Sequence, residues 1–60
     1  MITQFITIEI DIQASPADMR QAIEAALHHW GEPLRWAITS IKPEEHKAVI
    51  EAIVTKAAAG

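Results

Sequence analysis

Cysteine is absent from the sixty-residue chain, which removes disulfides and thiolate metal sites from the ways so small a protein can be held together. Tyrosine is absent too, and glycine occurs only at Gly31 and Gly60, too few for a phosphate-cradling loop. Permanent positive charge is scarce. Arg20, Arg35, Lys42, Lys47 and Lys56 stand apart against eight acidic residues, giving a net charge of −3. That balance offers no electrostatic footprint for a nucleic-acid backbone or an anionic membrane surface. No apolar run approaches the roughly 20 residues that cross a bilayer. The first residues also lack the basic region and uninterrupted apolar stretch of a secretion signal. The lack of cysteine suits a reducing compartment, so a cytoplasmic location is expected.

What is present is half apolar and 22% charged, a globular composition rather than a disordered one. Ordering sixty residues costs about as much free energy as a core of this size returns. With disulfides excluded, oligomerisation becomes the expected remedy. Residues 1–60 are read as a single domain, with Ala57-Ala58-Ala59-Gly60 as a frayed tail.

Threaded as a strand, residues 2 to 12 place Ile2, Ile6, Ile8, Ile10 and Ile12 on one face and Thr3, Phe5, Thr7, Glu9 and Asp11 on the other. Gln4 interrupts the isoleucine row, so either a bulge lies there or the first residues reach onto a neighbour. Both ends of a helix follow. Ser15 can cap it, Pro16 suits the first helical position and Asp18 puts negative charge in the first turn. Gly31 then offers a left-handed residue past its end, and Pro33 prevents continuation. Met19, Ala22, Ile23, Ala26, Leu27 and Trp30 form one apolar stripe at helical spacing, while Arg20, Gln21, Glu24 and His28 share the opposite side.

Residues 34 to 41 alternate again, with Leu34, Trp36 and Ile38 on one face and Arg35, Ala37, Thr39 and Ile41 on the other. Residues 42 to 47 read as a polar hairpin loop. The segment from Ala48 to Thr55 satisfies two patterns, because Val49, Ile50, Ile53 and Val54 also fit a helix that Pro43, Glu44 and Glu45 could start. Its β-branched residues favour a strand, with Ala48, Ile50, Ala52 and Val54 toward the helix and Val49, Glu51, Ile53 and Thr55 away. The expected fold is therefore α+β, in the order β-α-β-β, with one helix on one face of a three-stranded sheet; β-α-β-α is the alternative. If the first two strands pair directly, they run parallel through a right-handed crossover and the third pairs antiparallel with the second.

The helix covers only one face of such a sheet. On the other, Phe5, Ala37, Ile41, Val49 and Ile53 lie among polar residues, and contiguous apolar patches of that kind mark interfaces. Phe5, Arg35, Ala37, Ile41, Val49, Glu51 and Ile53 are accordingly the candidate interaction residues, the apolar ones for burial and Arg35 with Glu51 for alignment.

The residue types that carry chemistry form no recognisable set. His28 and His29 point about 100° apart on a helix and there is no His-x-x-x-His, so no metal site is expected, and no cofactor. Trp30 and Trp36 flank the Gly31-Glu32-Pro33 turn and, with His29, form a possible ligand slot, although each also fits a core position. Glu9, Asp11 and Glu51 project from the outer face, where ion pairing is expected rather than acid–base catalysis. None of the Ser, Thr and His residues makes a nucleophile motif.

A chain of this length that opens with a strand and then a helix resembles the small tautomerases, whose oligomers use an amino-terminal proline as the catalytic base. Ile2 stands where that proline would be, so the resemblance is confined to gross architecture and its chemistry is not carried over. The favoured expectation is a non-enzymatic interaction module or oligomer subunit using the outer sheet face, for a second copy or a protein partner. A small-molecule binder or tautomerase-like enzyme with its site at a subunit junction is the alternative from another class, and sheet-mediated nucleic-acid binding a third that the acidic balance opposes.

Overall fold

The computed structural model describes residues 1–57, and beyond Ala57 the expected tail lies outside the described residues. Four main elements follow one another: β1 (Ile2–Asp11), α1 (Pro16–His28), β2 (Glu32–Lys42) and β3 (Lys47–Lys56), with a single 3-10 turn at Pro43–Glu45 joining the last two strands. The fold is α+β in the order β-α-β-β, and the ambiguous last segment is a strand.

Local chemistry sets the helix ends. The Ser15 hydroxyl accepts the Asp18 N–H at 3.1 Å, satisfying one of the donors that a helix start leaves unpaired. At the other end the N–H groups of Trp30 and Gly31 both donate to the Leu27 carbonyl, at 2.8 and 3.2 Å. Gly31 has φ +152°, and a Cβ there would sit 2.5 Å from the Thr55 carbonyl oxygen. The glycine is thus required by an extended positive-φ turn pressed against β3, not by a left-handed helical cap. The hairpin closes at His46, which takes the left-handed conformation at φ 55°.

Strand order departs from the expected one. The sheet runs β1-β3-β2, with β3 antiparallel to both neighbours, so β1 and β2 run in the same direction without touching. The reason lies in composition: Ala48, Ile50, Ala52 and Val54 on one face and Val49 and Ile53 on the other make β3 the strand apolar on both sides, which favours the central position. β1 pairs with β3 one residue for one residue from Ile2 to Asp11, so no bulge lies at Gln4. β2 slips twice, at Leu34 and at Thr39. Each slip inserts an unpaired residue and reverses which face the following residues take.

The buried residues are Ile23 and Leu27 of the helix and Ala48, Ile50, Ala52 and Val54 of β3. Ile6, Ile8, Ile10, Met19 and Trp36 pack around this cluster at partial burial. A helix of 13 residues is about 20 Å long, whereas a ten-residue strand extends about 33 Å. The helix therefore leaves the ends of its own face uncovered, and Ile2, Ile12 and Ile41 remain exposed there, while Ile38 is exposed at the β2 edge beside buried Ile50. Among the described residues no helix is long and apolar enough to cross a membrane.

Candidate functional site

The pairing of the three strands arranges the outer face as a set of rungs across β1, β3 and β2. Phe5, Ile53 and Arg35 form one rung, Thr7, Glu51 and Ala37 the next, then Glu9, Val49 and Ser40, and last Asp11, Lys47 and Lys42. Among the described residues no helix covers this face. Phe5, toward the end away from the hairpin, is 79% exposed, an arrangement costly for a large aromatic.

The two ends of the face differ in character. At the hairpin end Lys47 Nζ donates to Asp11 Oδ1 at 2.6 Å, and Lys42 Nζ reaches across β3 to Glu9 Oε2 at 2.7 Å. The hydrogen bond and charge of Lys42 hold the Glu9 carboxyl below its ordinary range, and Lys47 does the same for Asp11. Both ammonium groups are correspondingly raised by their carboxylates. The pairs are exposed and add little to stability, but they neutralise that end of the face.

A consequence for acid stability follows from the sign of these shifts. A carboxyl whose folded-state value is depressed supplies stability above its unfolded value and loses it as pH falls. The contribution is therefore present above the ordinary values of 4.5 for Glu9 and 3.8 for Asp11 and disappears below them. The lysine half is lost only above 10.5. Thermal melts between pH 6 and pH 3 are expected to show a falling midpoint below about pH 4, with a smaller fall in the Lys42→Met, Lys47→Met double variant. Equal slopes in the two proteins would assign the acid sensitivity elsewhere.

At the other end of the face a shallow depression of about 120 Å³ is lined by Phe5, Arg35, Ala37, Glu51 and Ile53, together with Trp36 and Ala52. Five of the seven candidate interaction residues thus come together. Val49 shares the face one rung beyond Glu51, half-buried between Glu9 and Ser40. Ile41 does not belong to it: the slip at Thr39 sets Ile41 opposite Ala48, on the helix side. Lys42 and Lys47, read from sequence as loop residues, complete the charged rung instead; their spacing to Glu9 and Asp11 becomes meaningful only once β3 is known to lie between β1 and β2.

The tryptophan slot is divided. His29 and Trp30 line an open groove of about 400 Å³ with Ile8, Glu9, Ile10 and Ala26, along the β1 side of the helix. Trp36 is not part of it, because it stands on β2 with the central strand between, packed against the core. Among the described residues no group of three or more His, Asp or Glu side chains is placed to hold a metal ion.

An open three-stranded antiparallel sheet with one helix on one face makes this a small α+β domain. The chain belongs to the family described as a domain of unknown function (DUF8621), whose model matches residues 4–56. Comparison with curated proteins and with solved structures finds no match.

Proposed function

We propose that the protein is a non-enzymatic interaction module of the cytoplasm that associates with a second copy of itself through the outer sheet face. The observation that carries this reading is the uncovered cluster of Phe5, Ile53 and Ala37, with Phe5 at 79% exposure. Arg35 and Glu51 stand beside it on neighbouring rungs, and among the described residues neither makes an ion pair. A two-fold axis through the cluster sets Arg35 of one copy against Glu51 of the other, so the face is complementary to itself in charge as well as apolar. Among the described residues the core holds six buried side chains, two of them alanine, which gives the subunit a reason to bury more. The absence of cysteine supports the compartment.

Sedimentation of the unmodified protein at about 100 μM is expected to show a dimer or larger species. Ile53→Lys is expected to give a smaller species with an unchanged circular dichroism spectrum, since the new charge is desolvated only on association. A wild-type protein that sediments only as a monomer removes this reading, and an Ile53→Lys variant that is unfolded at every concentration shows that Ile53 supports the subunit rather than an interface. The tautomerase-like alternative draws less support, since Trp30 and Trp36 do not share a groove within the subunit, and a net charge of −3 opposes nucleic acid as the occupant of the face.

A further inference from the structure

The sheet has two edges, and they are not alike. The β2 edge carries Pro33, which has no N–H to offer, two register slips at Leu34 and Thr39, and Pro43 immediately after the strand. These are the devices that stop one sheet from adding another strand. The β1 edge has none of them. Its ten residues pair one for one with β3 and include no Pro, Gly, Lys or Arg. Its acidic side chains, Glu9 and Asp11, are drawn to Lys42 of β2 and Lys47 of β3, which cancels the repulsion they would otherwise present.

The groups that face outward from this edge follow from one bond. Ile12 N–H donates to the His46 carbonyl at 2.8 Å, extending the β1–β3 ladder by one pair. Bonded pairs alternate in an antiparallel ladder, so Ile10, Ile8, Ile6 and Gln4 bond to β3, and Thr3, Phe5, Thr7, Glu9 and Asp11 turn N–H and C=O to the open side. The Asp11 carbonyl is taken by Gln13 Nε2 at 2.8 Å, which closes that end. Thr3, Phe5, Thr7 and Glu9 are left with both groups unpaired within the described residues.

We infer that this edge pairs antiparallel with the same edge of a second copy, two-fold related at Ile6, joining two three-stranded sheets into one of six strands. One self-pairing uses every free group from Thr3 to Glu9: Thr3 opposite Glu9 of the partner and Phe5 opposite Thr7 of the partner, each exchanging both backbone bonds. No like charges are opposed. On the helix side the same alignment sets Ile6 against its symmetry mate, Gln4 against Ile8 and Ile2 against Ile10. Ile8 and Ile10 floor the groove of about 400 Å³ beneath His29 and Trp30. Ile2, 49% exposed in the subunit, enters the partner's groove, and the Gln4 amide lies beside His29, its one imidazole. The break in the isoleucine row at Gln4 thereby acquires a polar neighbour. The pairing leaves the outer face free, so it stands or falls independently of the association proposed above.

Because the chain has no cysteine, Ile6→Cys introduces a single thiol at the two-fold axis. The pair it joins is of the non-hydrogen-bonded kind, with Cα atoms about 4.5 Å apart and within disulfide reach. Mild oxidation of the folded variant is expected to give covalent dimer at least about ten-fold faster than Phe5→Cys at the same concentration, and to do so equally in an Ile53→Lys background. A folded Ile6→Cys that stays uncrosslinked while Phe5→Cys crosslinks overturns the edge pairing and leaves the outer-face association intact. Hydrogen exchange on the unmodified protein supplies a second measurement that no substitution can compromise. The amides of Thr3, Phe5, Thr7 and Glu9 are expected to slow by about ten-fold or more as concentration rises into the associated range. Exchange at these four positions that is independent of concentration overturns the inference.

Discussion

Leu27→Ala is expected to unfold the subunit or bring it to the edge of unfolding at room temperature. Leu27 is fully buried and, with Ile23, is the helix's main contribution to a core otherwise made by β3. Truncating a buried leucine costs about 2–5 kcal/mol, the larger values where the surroundings cannot close the cavity. A domain holds about 0.05–0.15 kcal/mol of stability per residue, so sixty residues hold about 3–9 kcal/mol. The two ranges overlap, and the core is too small to spread the loss. In a domain this size each kcal/mol moves the melting midpoint by about 4–8 °C, so a fall of about 10 °C or more is the smallest outcome consistent with this packing. Leu34→Ala is the matched comparison, because Leu34 occupies the first slip of β2 and is 60% exposed. It is expected to change the midpoint little. Thermal melts followed by circular dichroism check both, and similar effects from the two substitutions would contradict the burial that separates them.

That contrast also marks where the sequence could be read and where it could not. The helix was legible because its signals are local: Ser15, Pro16 and Asp18 at one end, the stripe from Met19 to Trp30, and Gly31 with Pro33 at the other. Strand identity was legible from alternation and β-branching. Strand order was not, since alternation says which face a residue takes and nothing about its neighbour across the ladder. The one available clue was that β3 is apolar on both faces, which suits a strand paired on both sides. The outer-face cluster was readable up to the second slip of β2. Nothing in Thr39 announces an inserted residue, and a slip of one position moves every later side chain to the other face, which is why Ile41 lies on the helix side. The tryptophans illustrate the same limit. Five residues separate them in sequence, yet a strand drawn from the far end of the chain lies between β1, which shares a groove with Trp30, and β2, which carries Trp36. The value of the β1 edge was hidden as well, because an edge exists only once the order β1-β3-β2 is known.

Gly31→Ala is expected to rival Leu27→Ala in effect although it adds a single methyl group and deletes nothing. At positions with ordinary backbone angles, replacing glycine by alanine stabilises a protein by about 0.4–1 kcal/mol, because the unfolded chain loses freedom. Two observations reverse the sign here. The first is φ +152°, a conformation L-residues rarely adopt, and such strained backbone costs about 1–3 kcal/mol. The second is steric: the new Cβ would lie 2.5 Å from the Thr55 carbonyl oxygen and 3.1 Å from its carbon. Both are backbone atoms, so no rotamer change can relieve the contact. Thr55 is paired with Thr3 on one side and Glu32 on the other, and displacing it strains both ladders at the end of the sheet where the helix hands the chain to β2. Moving the turn instead would lift Trp30 from the groove beside β1 and pull on the bonds to the Leu27 carbonyl. Either adjustment draws on the same reserve of about 3–9 kcal/mol, so a fall in melting midpoint of about 10 °C or more is expected. Where the folded state survives, exchange of the Glu32 and Thr55 amides should quicken relative to Ile50 in the core, which places the damage at the crossing of turn and strand. An unchanged or raised midpoint would mean that the turn relaxes without cost, and that the close approach of Gly31 to β3 does not hold the helix to the sheet.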